Sequence, residues 1–399
     1  MLHHIAKALA VLGLASAGVS AQAAGPIKIG VLTDMAGVYA AVAGKGVVEA
    51  ARMAVEDFRE AHPDQPVELI TADHQNKPDV ASAIARRWFD AEDVHAIAEL
   101  TTSAIALSVQ KLAQERNRTV LVSGAGTSDL SGKACSPTGF HWTYDTYALA
   151  NGTARAILEQ GGKRWYFLTV DYAFGHALEK DVTDTVNAMG GEIVGGVRHP
   201  LGTADFASYL LQAQSSGAQV VGLANAGADL NNSIKQATEF GLDRKQRVAA
   251  LLVYINDVHA LGLDQAKNVY LTTGFYWDRT EATRKWSQRF FERTKVMPNM
   301  AQAGVYSSIA HYLKAAHEAG TTDAARISEL MKSTPVNDFF AENGVVRQDG
   351  RMVHDMYLVR VKEPSESKYP WDYYEVISTI AGDDAFRKME GGGCPHVSG

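Results

Sequence analysis

Apolar and polar positions follow two rhythms along this chain, and the rhythms take turns. In "PIKIGVLTDMAG", Ile27, Ile29 and Val31 alternate with other residues and stop at a polar turn and a glycine, the pattern of a short strand. In "GVVEAARMAVEDFREAH", Val47, Val48, Ala51, Ala54, Val55 and Phe58 recur at helical spacing. The succession repeats: "VELITADHQ" predicts a strand, "DVASAIARRWFDAED" a helix capped by Asp79 after Pro78, and "VHAIAEL" a strand. "TSAIALSVQKLAQERN" then predicts a helix and "TVLVSG" a strand. Strand and helix in alternation predict a parallel sheet with helices on both faces.

The rhythm pauses over "SGAGTSDLSGKACSPTGFHWTYDTY" and resumes with a helix expected at "TARAILEQGG", from Thr153. A second α/β unit is expected from about residue 144 to about residue 277, ending in two strands read from "VAALLVYIND" and "NVYLTTGFYW". Three helical segments follow, then the strand-like "GRMVHDMYLVRVKEP" and "WDYYEVISTI", then a Gly-rich tail. The expectation is an α/β chain folded as two lobes, with several crossings between them.

The N-terminus carries a different signal. Lys7 precedes an apolar run from Ala8 to Val19, and "AQA" places small residues at Ala21 and Ala23. This is the pattern of a secretory signal peptide over residues 1–23, cut after Ala23. The run is shorter than the roughly 20 apolar residues of a membrane span. Export also bears on Cys135 and Cys394, the chain's two cysteines. In an oxidising compartment they are expected to form one disulfide that ties the tail to the first half of the chain.

Composition narrows the function. With 399 residues, 46% hydrophobic and 21% charged, the chain is globular and long enough for two domains; a net charge of −7 gives no basic face for nucleic acid. Ligands of open parallel sheets bind beyond the carboxyl ends of the strands. That rule selects "TDMAGVYA", "ELTTSA", "SGAGTSD", "VDYAFG", "ANAGAD", "YIND" and "FYWD". These segments hold small residues, hydroxyls and aromatics, with few charges.

Enzyme motifs do not fit. The Gly-Lys at Gly132-Lys133 fails as a phosphate loop, because five residues separate Gly126 from Gly132 and Ala134 follows the lysine. There is no HExxH and no GxSxG, and the carboxylates Asp145, Asp171 and Asp229 are not paired as acid and base. No metal or cofactor is expected. What remains is a cradle of hydroxyls and amides. Thr102 or Ser103 should lie at a helix N-terminus, whose free N–H groups favour a carboxylate, with Thr127 beside it; ordinary capping is the competing role.

The ordered series "IGVLTDMAGVYA", "GAGTSDL", "DYAFG" and "GLANAGAD" resembles the periplasmic solute-binding proteins of the branched-chain amino-acid class of ABC transporters. The resemblance covers nearly the whole mature chain. It implies the two-lobed type I periplasmic-binding-protein fold, each lobe a mostly parallel sheet flanked by helices, joined by three hinge crossovers. The division expected is 24–143 with 278–352 for the first lobe, and 144–277 with 353–399 for the second and its tail.

The resemblance also implies ligand contacts. Thr101, Thr102 and Ser103 match the loop that holds a ligand carboxylate, and Ala125 and Thr127 match the segment after the fourth strand. Phe174 stands where relatives carry a tyrosine. Tyr144, Asp145 and Tyr147 match pocket positions near the first crossover. Asn225 and Gly227 match the next cleft segment, with Tyr254 beyond it and Tyr39 on the first loop. With Phe275 this makes an aromatic cleft, and Asp145 or Asp229 is the expected acceptor for a ligand ammonium. A small carboxylate with an apolar or aromatic body, or a hydrophobic amino acid, suits such a site. The implied partner is an inner-membrane ABC permease, and the implied state is a periplasmic monomer without catalysis. Three alternatives stay open: a sensor subunit of the same fold, a binder of amides or urea-like solutes, and a periplasmic enzyme.

Overall fold

The computed structural model describes residues 25–397; the expected signal segment 1–23 lies outside them. The first α/β succession runs β1 (Ile27–Thr33), α1 (Gly44–Ala61), β2 (Val67–Asp73), α2 (Pro78–Asp90), β3 (Ala96–Glu99), α3 (Ser103–Glu115), β4 (Thr119–Val122) and β5 (Gly139–His141). Its five strands form one parallel sheet in the order β2-β1-β3-β4-β5. β3 and β4 are buried at every residue, Glu99 at the end of β3 included, whereas the edge strand β2 is half exposed.

The second succession is α4 (Thr146–Leu149), α5 (Arg155–Glu159), β6 (Arg164–Val170), α6 (Ala173–Ala188), β7 (Glu192–His199) and α7 (Ala207–Ser215). It continues with β8 (Val220–Ala224), α8 (Gly227–Glu239), β9 (Arg247–Ala250), α9 (Ile255–Leu261), α10 (Leu263–Ala266) and β10 (Tyr270–Thr273). Four of these strands form a second parallel sheet, β7-β6-β8-β9.

The chain then returns to the first lobe through α11 (Glu281–Thr294), α12 (Met300–Ala319) and α13 (Ala324–Ser333). Asp57 of α1 fastens the return: it takes Arg289 at 2.6 Å and the Tyr306 hydroxyl at 2.6 Å. A small hairpin, β11 (Val345–Val346) with β12 (Met352–Val353), leads to β13 (Met356–Val361), β14 (Tyr374–Ile380) and α14 (Gly382–Ala385). β13 and β14 join β10 in an antiparallel sheet beside the second lobe.

The two lobes meet at three crossings, which run side by side. His354 Nε2 lies 2.7 Å from Thr143 O, and Arg351 donates to Tyr144 O at 3.1 Å. Gly274, on the middle crossing, has no room for a side chain: a Cβ there would lie 2.9 Å from His354 Cε1 and 3.2 Å from Thr143 O. The tail reaches back over this hinge. Cys135 and Cys394 form the expected disulfide, with Cα atoms 5.5 Å apart. Arg387 pairs with Asp181 of α6 at 2.9 Å. Among the described residues, no helix is long and apolar enough to cross a membrane, and no cluster of His, Cys, Asp and Glu is suited to a metal ion.

Four local expectations are corrected. Pro78 opens α2 at its first position and Asp79 falls in the first turn, so Asp79 is not the cap; proline has no N–H to satisfy and suits that place. The three-residue β5 lies inside the stretch read as a pause. The helix expected at 153 starts at Thr146, because the Asp145 carboxylate accepts the Ala148 N–H at 2.8 Å, and it continues through a π turn over Ala150–Ala154. Residues 254–257 are not strand: Asp257 turns back to accept the Tyr254 N–H at 2.9 Å and opens α9.

Candidate functional site

Between the two sheets the strand ends frame a cavity with about 360 Å³ of empty space, part of it open to solvent. The loop after β1 brings Tyr39 to it, the β3–α3 turn brings Glu99, Thr101 and Ser103, and the segment after β4 brings Gly124 and Gly126. From the other side come Tyr172, Phe174, Ala226, Leu252 and Tyr254, with Tyr144 at the hinge. Six of the expected residues therefore meet here: Tyr39, Thr101, Ser103, Tyr144, Phe174 and Tyr254. Gly126 is required for the rings to approach, since a Cβ there would lie 2.9 Å from Tyr144 and 3.1 Å from Phe174.

The other expected residues surround the cavity without lining it. Thr102 is the N-cap residue of α3, and its side chain makes no cap bond. The Thr127 hydroxyl accepts the Asp129 N–H at 3.4 Å, while its own N–H donates to Ser103 Oγ at 3.1 Å. Ala125 turns its carbonyl to His141 Nε2 at 2.8 Å. Asn225 Nδ2 lies 3.2 Å from His199 Nε2, behind the cavity wall. Gly227 (φ +61°) lets α8 start against the first lobe: a Cβ would lie 2.7 Å from Val38 O. Tyr147 lies under the Arg387 guanidinium, 5.2 Å away, and lines a separate recess with Asn151 and Arg155. Phe275 packs on Trp286 and Phe340.

The two expected ammonium acceptors are also committed elsewhere. Asp145 caps α4 and faces the fully buried Arg351 at 3.5 Å. Asp229 accepts the Gly202 N–H at 3.0 Å. Burial holds its carboxyl up at about 6, against the pull of the Gly202 and Thr203 amides.

The hydroxyl protons decide what the cavity offers a ligand. Tyr144 donates to Gly124 O at 2.6 Å, so the 2.8 Å contact with the Tyr254 hydroxyl is a bond that Tyr254 donates. Tyr39 and Tyr172 meet at 2.8 Å and share one proton, which leaves one more between them. Burial pushes all four phenols above their usual range, so they stay neutral. The Ser103 hydroxyl accepts from Thr127 and keeps its proton free, at the first residue of a helix whose leading N–H groups have no intrahelical partner.

Sequence reasoning missed Tyr172 and Glu99. Tyr172 lies two residues before the recognised aromatic of "DYAFG". Glu99 is fully buried at the last position of β3, and its signal was an acid closing the apolar run "VHAIAEL". Thr101 Oγ1 donates to Glu99 Oε1 at 2.9 Å. Burial holds the Glu99 carboxyl up at about 7, the Thr101 and Thr33 hydroxyls pulling the other way.

Comparison with known proteins agrees with this geometry. The periplasmic binding protein family model matches residues 26–368. A Leu/Ile/Val-binding protein homolog 6 of Brucella abortus is 27% identical over 389 residues, covering 94% of this chain and 96% of its own. The crystal structure of a periplasmic binding protein from Burkholderia mallei is 49% identical, with TM-score 0.92, covering 94% of this chain and 99% of that one. A branched-chain amino acid ABC transporter periplasmic ligand-binding protein from Burkholderia xenovorans is 38% identical, with TM-score 0.82, over 93% and 99% of the two chains. A two-lobed α/β fold, a cavity where the strand ends of both sheets meet and a match along most of the chain converge on one assignment: this protein belongs to the periplasmic binding proteins of the branched-chain amino-acid ABC-transporter type.

Proposed function

We propose that the protein is the extracytoplasmic solute-binding component of an importer, and that it closes on a small carboxylate with an apolar or aromatic body, hydrophobic amino acids included. The observation that carries this reading is Ser103: its proton is free, it begins the 13-residue helix α3, and it faces a cavity walled by aromatic rings. A carboxylate placed there meets the Ser103 hydroxyl and the leading N–H groups of α3, without needing an arginine. Thr127 acts through Ser103, whose oxygen its N–H holds in place. The rings cover the apolar body.

Transport follows from closure. A ligand that touches both lobes stabilises the closed arrangement over the open one by its extra contacts. The closed arrangement is what a membrane permease would recognise, and the ligand travels with it. Export would remove the leader near Ala23.

A thermal-shift screen of the mature protein tests the reading. The panel holds hydrophobic amino acids, benzoates, cinnamates, short aliphatic acids and amides. A binding acid raises the melting temperature with the logarithm of its concentration. Shifts from sugars or polyamines alone would contradict a carboxylate site.

A further inference from the structure

We infer that Glu99 is the specificity-determining residue of this cavity, its free oxygen Oε2 accepting an N–H bond from a protonated nitrogen that the ligand carries beside its carboxylate. The inference rests on the carboxylate reading above and adds a second recognition point to it.

Three observations carry it. Glu99 is fully buried and lines the cavity, yet Oε2 has no hydrogen-bond partner. A buried carboxylate oxygen without a partner is costly, so such a group either stays protonated or meets a donor. Next, the surroundings hold the side chain in place. Thr101 donates to Oε1 at 2.9 Å and itself accepts the Asp34 N–H at 3.2 Å, and the Gly124 backbone N–H steadies the carboxylate, while Oε2 makes no hydrogen bond of its own. Gly124 keeps the space clear: a Cβ there would lie 2.5 Å from Oε2. Finally, the backbone is strained where the side chain is presented. Glu99 has φ +85° and Leu100 +58°, a region that non-glycine residues rarely occupy.

The groups facing Glu99 supply no positive charge. Asp34, after β1, is a like charge, and its own oxygens accept the Gly37 and Tyr39 N–H groups at 2.7 and 2.9 Å. Tyr144 and Tyr254 are neutral phenols, the first donating its proton to Gly124 O and the second to the Tyr144 oxygen. Thr33 and Ser103 bring hydroxyls. A ligand ammonium would therefore be the cation missing from this pocket.

Proton linkage gives the inference a sign. Empty, Glu99 is held up at about 7 by burial, so below that pH it is mostly protonated. Binding an ammonium requires the ionised form, so binding expels a proton at acidic pH. Affinity for an amine-bearing acid should then rise up to tenfold per pH unit below about 7 and level off above it. An acid without the amine favours the protonated form, so its affinity should be level below about 7 and fall above it.

The test is titration calorimetry on the mature protein, from pH 5 to 8, in buffers of different ionisation heat. The probes are L-leucine and L-phenylalanine with their desamino counterparts, 4-methylpentanoate and 3-phenylpropanoate, plus phenylacetamide. Expected are tighter binding of an amino acid than of its desamino partner by tenfold or more, and proton release at pH 6. Glu99→Gln, checked for folding by circular dichroism, should weaken the amino acid at least tenfold and abolish the pH slope. Tighter binding of a desamino acid or of the amide overturns the inference, as does an unchanged amino-acid affinity in Glu99→Gln. If only desamino acids bind, the inference fails and the carboxylate reading stands; if no probe binds, both fail.

Discussion

The hydroxyls of Tyr39 and Tyr172 meet at 2.8 Å across the cleft, one on the loop after β1 and the other after β6. Beside them the Ala228 N–H donates to Val38 O at 3.2 Å, so the first turn of α8 also touches the opposite lobe. These bonds exist only when the lobes are together. A neutral hydrogen bond contributes about 1 kcal/mol net, roughly fivefold in the closed population. Tyr39→Phe and Tyr172→Phe should each weaken ligand binding by about that factor. The double variant should be no weaker than either single one, because both remove the same bond. Calorimetric titration of the three variants checks this, and additive losses would show that the two hydroxyls act separately.

Glu99 makes the stability of the empty protein pH-dependent. Its folded pKa, about 7, lies above the ordinary 4.5, so protonation favours the folded state. Stability is therefore lost as pH rises from about 4.5 to about 7 and is level beyond that. The full effect is roughly 3 kcal/mol by linkage. Glu99→Gln should melt several degrees higher than the parent at pH 8 and together with it at pH 4. Thermal melts across that range decide it; a variant less stable at pH 8 would mean that Glu99 has a partner in the empty protein.

Gly124→Ala probes the same corner from the other side. The added Cβ would lie 2.5 and 2.6 Å from the two Glu99 carboxylate oxygens. The carboxylate is the far end of its side chain and would move into the cavity. Ligand affinity should fall by tenfold or more while the melting temperature drops only slightly. A ligand affinity equal to the parent's would show that this corner is not used.

The Cys135–Cys394 bridge closes a span of 259 residues and holds a tail that the Arg387–Asp181 pair and the buried Phe386 also anchor. Removing a native disulfide typically costs about 2–5 kcal/mol. Cys135→Ser with Cys394→Ser should lower the melting temperature and open the chain beyond β14 to proteolysis first. Limited proteolysis with mass spectrometry reads this out. A tail as resistant as in the parent would assign its anchoring to the contacts of Phe386 and Arg387 instead.

Much of the architecture was legible because each buried strand is a short apolar run and each helix an amphipathic one, as in β4 and α1. The errors fell where a single side chain overrides the local pattern. Asp257 folds back on Tyr254 and turns an apolar run into a helix start, and Asp145 starts a helix inside a stretch crowded with turn residues. The site followed the same logic. Ser103 was legible because strand ends face the cleft, and Tyr144 only through the family resemblance. Asp145 was not, because its partner Arg351 is remote in sequence and nothing local announces the pair. Glu99 hid as the last letter of a strand, since its missing partner is a property of three loops together.

If Ser103 and the start of α3 hold a ligand carboxylate between the closed lobes, removing that hydroxyl must weaken binding. Titration of the mature protein and of Ser103→Ala with the strongest stabilising acid from the thermal screen decides this. Expected are one site per chain in the parent and binding at least tenfold weaker in the variant, whose loss of one charge-assisted hydrogen bond is worth about 1.5–3 kcal/mol. Equal affinity in the two proteins would remove Ser103 from the site.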